Sequence, residues 1–214
     1  RGPEPLSHRR PCAMIADAAT RAAKDNHTVP EFVPFRGLRY ADGGSLDAVT
    51  APPYDVIDPD HRAELAAADP HNSVRLILPD GDEPDEGAAA LLEAWVADGT
   101  LAVDATPAFY VYRMTYPDGD GTRSTIGVLG ALVLPEHIGD GQVLPHERTL
   151  PKAKSDRLDL LRATRANLDP IWGLCPTPGL SAALADVART EPFATARDER
   201  GVLHEAWALV RSEE

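Results

Sequence analysis

The pair of β-strand patterns between residues 108 and 134 constrains the fold of this chain more than any other feature. AFYVYRMTY (108–116) alternates apolar and polar side chains, as a half-buried strand does. PDGDGT (117–122) is rich in turn residues and leads into a second strand pattern, RSTIGVLGALVL (123–134). Two such segments joined by a short turn predict an antiparallel hairpin. The chain is therefore expected to contain a β-sheet.

Short helix patterns alternate with further strands on both sides of this hairpin. DPDHRAELAAAD (58–69) predicts a helix with Asp58 as its N-cap and Pro59 in the first turn. AAALLEAWVADG (88–99) predicts a helix that stops at Gly99. Further helices are predicted at SDRLDLLRATRAN (155–167, capped by Ser155) and PGLSAALADVART (178–190), and strands at SVRLIL (73–78), LAVD (101–104), DPIWGLC (169–175) and VLHEAWALV (202–210). This mixture predicts an α+β fold, with a mixed sheet, short helices and many loops.

Two stretches lack a regular pattern. Residues 1–30 form an appendage before the main domain, residues 31–214, and disorder is one alternative for it. Residues 32–57 are an extended entry in which Pro34, Pro52 and Pro53 exclude a helix. The connection PEHIGDGQVLPHERTLPKAK (135–154) has no periodicity, and connections of this length inside a domain are usually functional or disordered.

The charge distribution limits the partners. The formal net charge is −13, which argues against nonspecific binding to nucleic acid or to an anionic membrane surface. A small molecule is the expected partner, and no run approaches the roughly 20 apolar residues that span a bilayer. Cys12 and Cys175 form neither a disulfide framework nor a zinc pattern, so a reduced, cytoplasmic setting is expected.

Positive charge is concentrated in one segment. Two of the three lysines of the chain are Lys152 and Lys154. The segment 148–165 also carries four arginines, namely Arg148, Arg157, Arg162 and Arg165. Cations just before a helix that starts at Ser155 oppose the helix dipole, and a bound anion would correct this. Ordinary ion pairs with the arginine stems packed on the core are the alternative.

The helix pattern gives a second argument for an anion pocket. At 100° per residue, the arginines of residues 157–165 share an arc of about 140° with Leu158 and Leu161. This predicts that Arg157, Arg162 and Arg165 face the protein body with the leucines, where they line a pocket or pair with carboxylates at its edge.

Three further places carry candidate residues. His146, Glu147 and Arg148 could supply a general base and charge stabilisation beside a phosphate, or an ion pair that fixes a loop. In APPYDVI (51–57), two prolines fix Tyr54 and Asp55 in a pocket wall or only shape a turn. Arg75 lies inside an apolar pattern, where it is either solvated or paired with an anion.

Several quoted segments together resemble a known family. VPFRGLRY, APPYDVI, HNSVRLILP, AFYVYRMTY and VLPHERTLPKAKSDRLDLLRATRANLDPIWGLC are similar to the N-terminal half of the bacterial and archaeal family called domain of unknown function 1015. That family is described as similar to the ParB and free-serine-kinase group, whose members bind nucleotides. The resemblance implies that a C-terminal half, with a Gly-His-His-Arg motif, is missing here.

The resemblance implies a set of site residues and two functions. Phosphate contact is assigned to Lys152, Lys154, Arg162 and Arg165, charge stabilisation to Arg148, and general base or metal contact to Glu147 or Asp55. His146, Asn167, Tyr54 and Arg75 complete the set. The first function is a kinase that transfers phosphate from ATP or ADP, with Mg²⁺, to serine or a similar hydroxyl acceptor. The alternatives are a nucleotide-dependent switch or interaction module without turnover, and an inactive fragment.

Overall fold

The fold is α+β and is seen in a computed structural model that describes residues 30–133, 143–144 and 151–210, with the backbone alone for 151–154. Nine strands are described: β1 (Phe32–Val33), β2 (Leu38–Tyr40), β3 (Gly44–Ser45), β4 (Leu101–Val103), β5 (Ala108–Asp118), β6 (Gly121–Leu129), β7 (Ala131–Leu132), β8 (Ala194–Arg197) and β9 (Leu203–Val210). Five α-helices are described: α1 (Pro59–Ala68), α2 (Val74–Ile77), α3 (Pro84–Ala97), α4 (Pro151–Thr164) and α5 (Leu180–Val187). A single 3₁₀ turn, Tyr54–Val56, precedes the first of these helices.

A five-stranded sheet with the order β3-β8-β9-β5-β6 is the centre of the fold. The predicted hairpin of β5 and β6 is confirmed, with Asp118 opposite Gly121 at its tip. Gly119 has a φ of 60° in this turn, a conformation that suits glycine. β3 pairs with β8 in parallel while the other pairs of this sheet are antiparallel, so the sheet is mixed as predicted.

Local end signals position two helices as the sequence predicts. The Asp58 carboxylate accepts a hydrogen bond from the His61 backbone N–H at 2.9 Å, which caps α1. Helix α3 ends at Ala97, and Gly99 follows with a φ of 84°. Both signals act within a few residues of the chain, which is why the sequence suffices to predict them.

Two strand predictions are wrong. SVRLIL forms helix α2 instead of a strand, because the buried Asn72 amide donates to the Ala48 and Thr50 carbonyls at 2.8 and 3.0 Å and its side-chain oxygen accepts from the Val74 N–H at 2.9 Å. Short apolar runs do not distinguish helix from strand by periodicity. DPIWGLC has no regular structure after Asp169, since its proline and its glycine disfavour a strand ladder.

Two hydrophobic clusters hold the elements together. In the first cluster, α5 packs on one face of the sheet, with Leu184 against Val111 and Trp207. The second cluster joins α2, α3 and β4 through Leu76, Leu92, Trp95 and Leu101. Ala166 and Leu168, which follow α4, pack against this second cluster. The segment after the basic helix is therefore anchored to the body of the protein.

The entry segment is fixed by Tyr110 of β5. Its hydroxyl accepts a hydrogen bond from the Gly37 N–H at 2.7 Å and donates one to the Asp104 carboxylate at 2.6 Å. A Cβ atom at position 37 would lie 2.5 Å from that hydroxyl oxygen. The close approach therefore requires glycine at this position.

Candidate functional site

Helix α4 begins earlier than the sequence indicated. It starts at Pro151, so Ser155 lies inside the helix and is not its N-cap. Proline suits the first helical position because its missing N–H would have no intrahelical partner there. Lys152 and Lys154 consequently belong to the first turn of α4, close to the positive end of the helix dipole. The electrostatic argument for a bound anion is stronger at these positions than before the helix.

Arg157, one turn after Lys154, contacts three separate segments. Its Nη1 donates a hydrogen bond to the Ile77 carbonyl of α2 at 2.7 Å. The same atom lies 3.4 Å from the Asp169 carboxylate. The guanidinium carbon lies 4.3 Å from the centroid of the Tyr54 ring, which is cation–π geometry. Arg157 thus brings the 3₁₀ turn, α2 and the segment after α4 to one place.

The guanidinium of Arg157 retains unused donor capacity. Its Nε is buried and has no hydrogen-bond partner among the described residues. An arginine offers five N–H donors, and its Nε edge matches the two oxygens of a carboxylate or phosphate. The side chain as a whole is 26% exposed, so it borders solvent while its Nε does not.

Tyr54 and Asp55 lie in the 3₁₀ turn that follows Pro53. Pro53 has extended backbone angles, with φ of −54° and ψ of 140°, and its carbonyl accepts a hydrogen bond from the Val56 N–H. The turn places the half-buried Tyr54 ring against Arg157 and leaves Asp55 exposed. Of this pair, Asp55 is the side chain available to a ligand.

Asp169 supplies a second carboxylate on this side of the protein. Burial raises the pKa of Asp169 above its ordinary value of 3.8, while the positive charge of Arg157 opposes the shift. The negative charge of Asp55 raises the same pKa by a smaller amount. A carboxylate with this environment holds a proton more readily than an exposed one.

Arg162, in α4, and Arg165, the residue after it, do not face the protein body as the helix pattern predicted. Leu160 and Thr164 face the body of the protein, and Arg162 and Arg165 are exposed. The face of α4 that packs against the protein is centred on Leu160, so it is rotated around the helix axis from the face that the pattern predicted. Arg162 pairs with Asp159 at 3.3 Å in an exposed i,i+3 pair.

The end of α4 forms a separate, open depression. Leu161, Arg162 and Arg165 line it, and its volume is about 350 Å³. Arg165 has a φ of 55°, in the left-handed region that usually holds glycine after a helix. Eight residues separate Arg165 from Arg157, which is about 12 Å along a helix axis.

The other predicted site residues form no hydrogen bond or ion pair with Arg157 among the residues that the structure describes. Arg75 lies in α2, where its Nη2 donates to the Ala66 carbonyl at 2.6 Å and its buried Nε has no partner within the described part of the chain. Asn167 is exposed after α4. His146, Glu147 and Arg148 lie outside the described residues.

Two residues of the cluster were not predicted as site residues. Arg157 was predicted to face the protein body with Arg162 and Arg165 but was not chosen as a site residue; its half-buried position and its pair with Asp169 agree with the predicted orientation. Asp169 was taken as the first residue of a strand. The sequence contains no signal that pairs Asp169 with Arg157, because their contact depends on how residues 165–168 turn back onto the second hydrophobic cluster.

The described residues show no preassembled metal site. Within residues 30–133, 143–144 and 151–210, no three His, Cys, Asp or Glu side chains come together in a set able to hold a metal ion. Asp55 and Asp169 provide two carboxylates, which fits Mg²⁺, since that ion is commonly bound by one or two carboxylates together with phosphates.

No helix in the described part of the chain combines the length and the apolar character needed to cross a membrane.

The fold and the helix that begins at Pro151 define an α+β protein in which Arg157, Tyr54 and Asp169 come together. The family described as "Protein of unknown function (DUF1015)" matches residues 32–214, and the chain belongs to this family. Comparison with the curated proteins and with the solved structures gives no match.

Proposed function

We propose that the protein binds a nucleotide through its phosphates at the first turn of α4 and transfers a phosphoryl group to a small hydroxyl-bearing metabolite. The observation that carries the proposal is the convergence at Arg157. This arginine joins the Tyr54 turn and Asp169 one helical turn after Lys154. This convergence supports the proposal because it brings Asp169 and the Tyr54–Asp55 turn to the helix that carries the lysines, and phosphoryl transfer uses both cations and carboxylates.

The phosphate contacts come from the start of α4. The backbone N–H groups of a first helical turn have no intrahelical acceptors, and they point toward an anion placed beyond the helix end. Lys152 and Lys154 add two positive charges to that turn in a chain whose net charge is −13. Local positive charge in an acidic protein attracts a phosphate-bearing ligand to this position.

A carboxylate acts as the general base of the proposed reaction. Asp55 is exposed and accepts the proton of the acceptor hydroxyl, or Glu147 does so from the preceding connection. The hydroxyl oxygen then forms a bond to the terminal phosphorus, the bond from that phosphorus to its bridging oxygen breaks, and the nucleotide leaves with one phosphate fewer. Arg157 does not touch the phosphoryl group in this scheme; it positions Tyr54 and Asp169.

The cofactors of the proposal are ATP or ADP and Mg²⁺. Magnesium neutralises phosphate charge and orients the terminal phosphate when it is bound. Asp169 would hold it, together with Asp55 where Glu147 is the general base, or with Glu147 where Asp55 is the base. The acceptor class is serine or a similar hydroxyl compound, and Arg148 would stabilise charge on the transferring group.

A phosphorus NMR assay tests the reaction. The protein is incubated with Mg²⁺, ATP or ADP, and L-serine within a panel of hydroxyl-bearing metabolites. A new phosphate ester and an equal amount of nucleotide product are expected with the unaltered protein, and neither with Lys152→Ala. Normal turnover by that variant would show that Lys152 does not bind the phosphates. Saturable nucleotide binding without any ester would assign the protein to the binding-module alternative.

A further inference from the structure

Trp172 is exposed in a way that the other two tryptophans are not. Trp95 and Trp207 are each 3% exposed in the two hydrophobic clusters, whereas Trp172 is 60% exposed. Its neighbours Ile171 and Leu174 are 96% and 89% exposed. Burying a tryptophan side chain normally stabilises a protein, so a free indole face marks a surface that is available to a ligand.

The backbone around Trp172 is also free. Among the described residues, no hydrogen bond uses a backbone N–H or C=O of residues 171–175. Pro170 and Pro176 flank this segment and restrict its conformations. It therefore presents an aromatic face next to unused donors and acceptors. Planar nucleobases are recognised by this combination, with stacking on the face and hydrogen bonds at the edge.

The segment begins at the candidate site. Asp169, which lies 3.4 Å from Arg157, precedes Trp172 by three residues. Three residues of extended chain span about 10 Å. This distance is comparable with the separation between the phosphates and the base of an extended nucleotide. Trp172 therefore lies at most about 10 Å along the chain from the Asp169–Arg157 pair, a separation that a nucleotide could span.

We propose that Trp172 is the stacking platform for the base of the bound nucleotide. The proposal rests on the proposed function, since it requires a phosphate site on α4. It specifies the ligand class as a nucleoside polyphosphate and not an inorganic polyphosphate. It also predicts little discrimination between bases from stacking alone, because every base has an aromatic face.

Isothermal titration of the 214-residue chain with two probes separates the base from the phosphates. The probes are MgATP and magnesium tripolyphosphate, which carries the phosphates without a base. Trp172→Ala should weaken MgATP binding by about 5- to 150-fold, the effect of losing one base–aromatic stack, and leave tripolyphosphate binding unchanged. Trp172→Phe should recover most of the MgATP affinity. Ile171→Ser, which removes apolar surface at the adjacent residue, is the control and should bind both probes normally.

Acrylamide quenching of tryptophan emission gives an independent measurement. Because Trp95 and Trp207 are buried, quenchable emission should come from Trp172 and disappear in Trp172→Phe. MgATP should protect that emission, and tripolyphosphate should not. Equal binding of both probes with no effect of Trp172→Ala would overturn the stacking proposal and leave the phosphate site in place. Binding of neither probe would overturn the proposed function and the stacking proposal with it.

Discussion

Replacement of Arg157 by methionine should destabilise the protein by about 2–4 kcal/mol. The methionine side chain keeps the apolar stem of Arg157 and removes its charge and its donors. The hydrogen bond to the Ile77 carbonyl is charge-assisted, and bonds of this kind contribute about 1.5–3 kcal/mol. The cation–π contact with Tyr54 contributes about 0.5–1 kcal/mol at a partly exposed position. The 3.4 Å pair with the half-exposed Asp169 adds less than about 1 kcal/mol.

A double-mutant cycle isolates the contact with the aromatic ring. Arg157→Met, Tyr54→Leu and the double variant are compared with the unaltered chain by urea unfolding, followed by circular dichroism. The expected coupling free energy between the two residues is about 0.5–1 kcal/mol.

Arg162→Met is the matched control for this cycle. Arg162 lies on the same helix and loses the same charge, but its side chain is 69% exposed and pairs with Asp159 across one turn. Its replacement should change the free energy of unfolding by less than about 0.5 kcal/mol. If Arg157→Met is no more destabilising than Arg162→Met, or if the coupling with Tyr54 is zero, the convergence at Arg157 is refuted.

Three further predictions concern single positions. Gly37→Ala should lower the free energy of unfolding in urea by about 1–3 kcal/mol, because the new Cβ meets the Tyr110 hydroxyl. Adding Tyr110→Phe should recover part of that loss. No loss in the single variant would contradict the close approach. Asn72→Leu should cost at least about 3 kcal/mol in urea unfolding, since two carbonyls and one N–H lose their buried partner, and a cost below 1 kcal/mol would be inconsistent with those three bonds. Asp169 has a raised pKa in the folded state, so the folded protein binds more protons there than the unfolded chain, and this group lowers stability as pH rises from 3.8 through its native pKa. Asp169→Asn should therefore gain stability relative to the unaltered chain across that pH window, and a parallel pair of stability curves would refute the shift.

The sequence predicts the features that depend on nearby residues. The β5–β6 hairpin follows from a turn between two strand patterns, and the Asp58 cap and the stop near Gly99 follow from signals within one helical turn. The start of α4 was misplaced because Ser155 is a good cap in isolation, whereas Pro151 is an equally good first residue.

Features that depend on tertiary contacts could not be predicted in the same way. SVRLIL is helical because Asn72 bonds to a segment more than twenty residues earlier. Tyr54 and Asp55 were predicted as site residues on local grounds, but their link to α4 runs through Arg157. The buried face of α4 is selected by contacts at Leu160 and Thr164, and the spacing of arginines and leucines does not encode it.

Titration calorimetry with MgATP tests the phosphate site on α4 most directly. The unaltered chain is compared with Lys152→Ala/Lys154→Ala and with a charge-matched control, Arg123→Ala/Arg189→Ala, which removes two exposed cations elsewhere. Circular dichroism first establishes that all three are folded. Saturable binding that the lysine variant loses by about 100-fold, and that the control retains, is the predicted result. Equal loss in both variants, or no binding by the folded unaltered chain, would contradict the site.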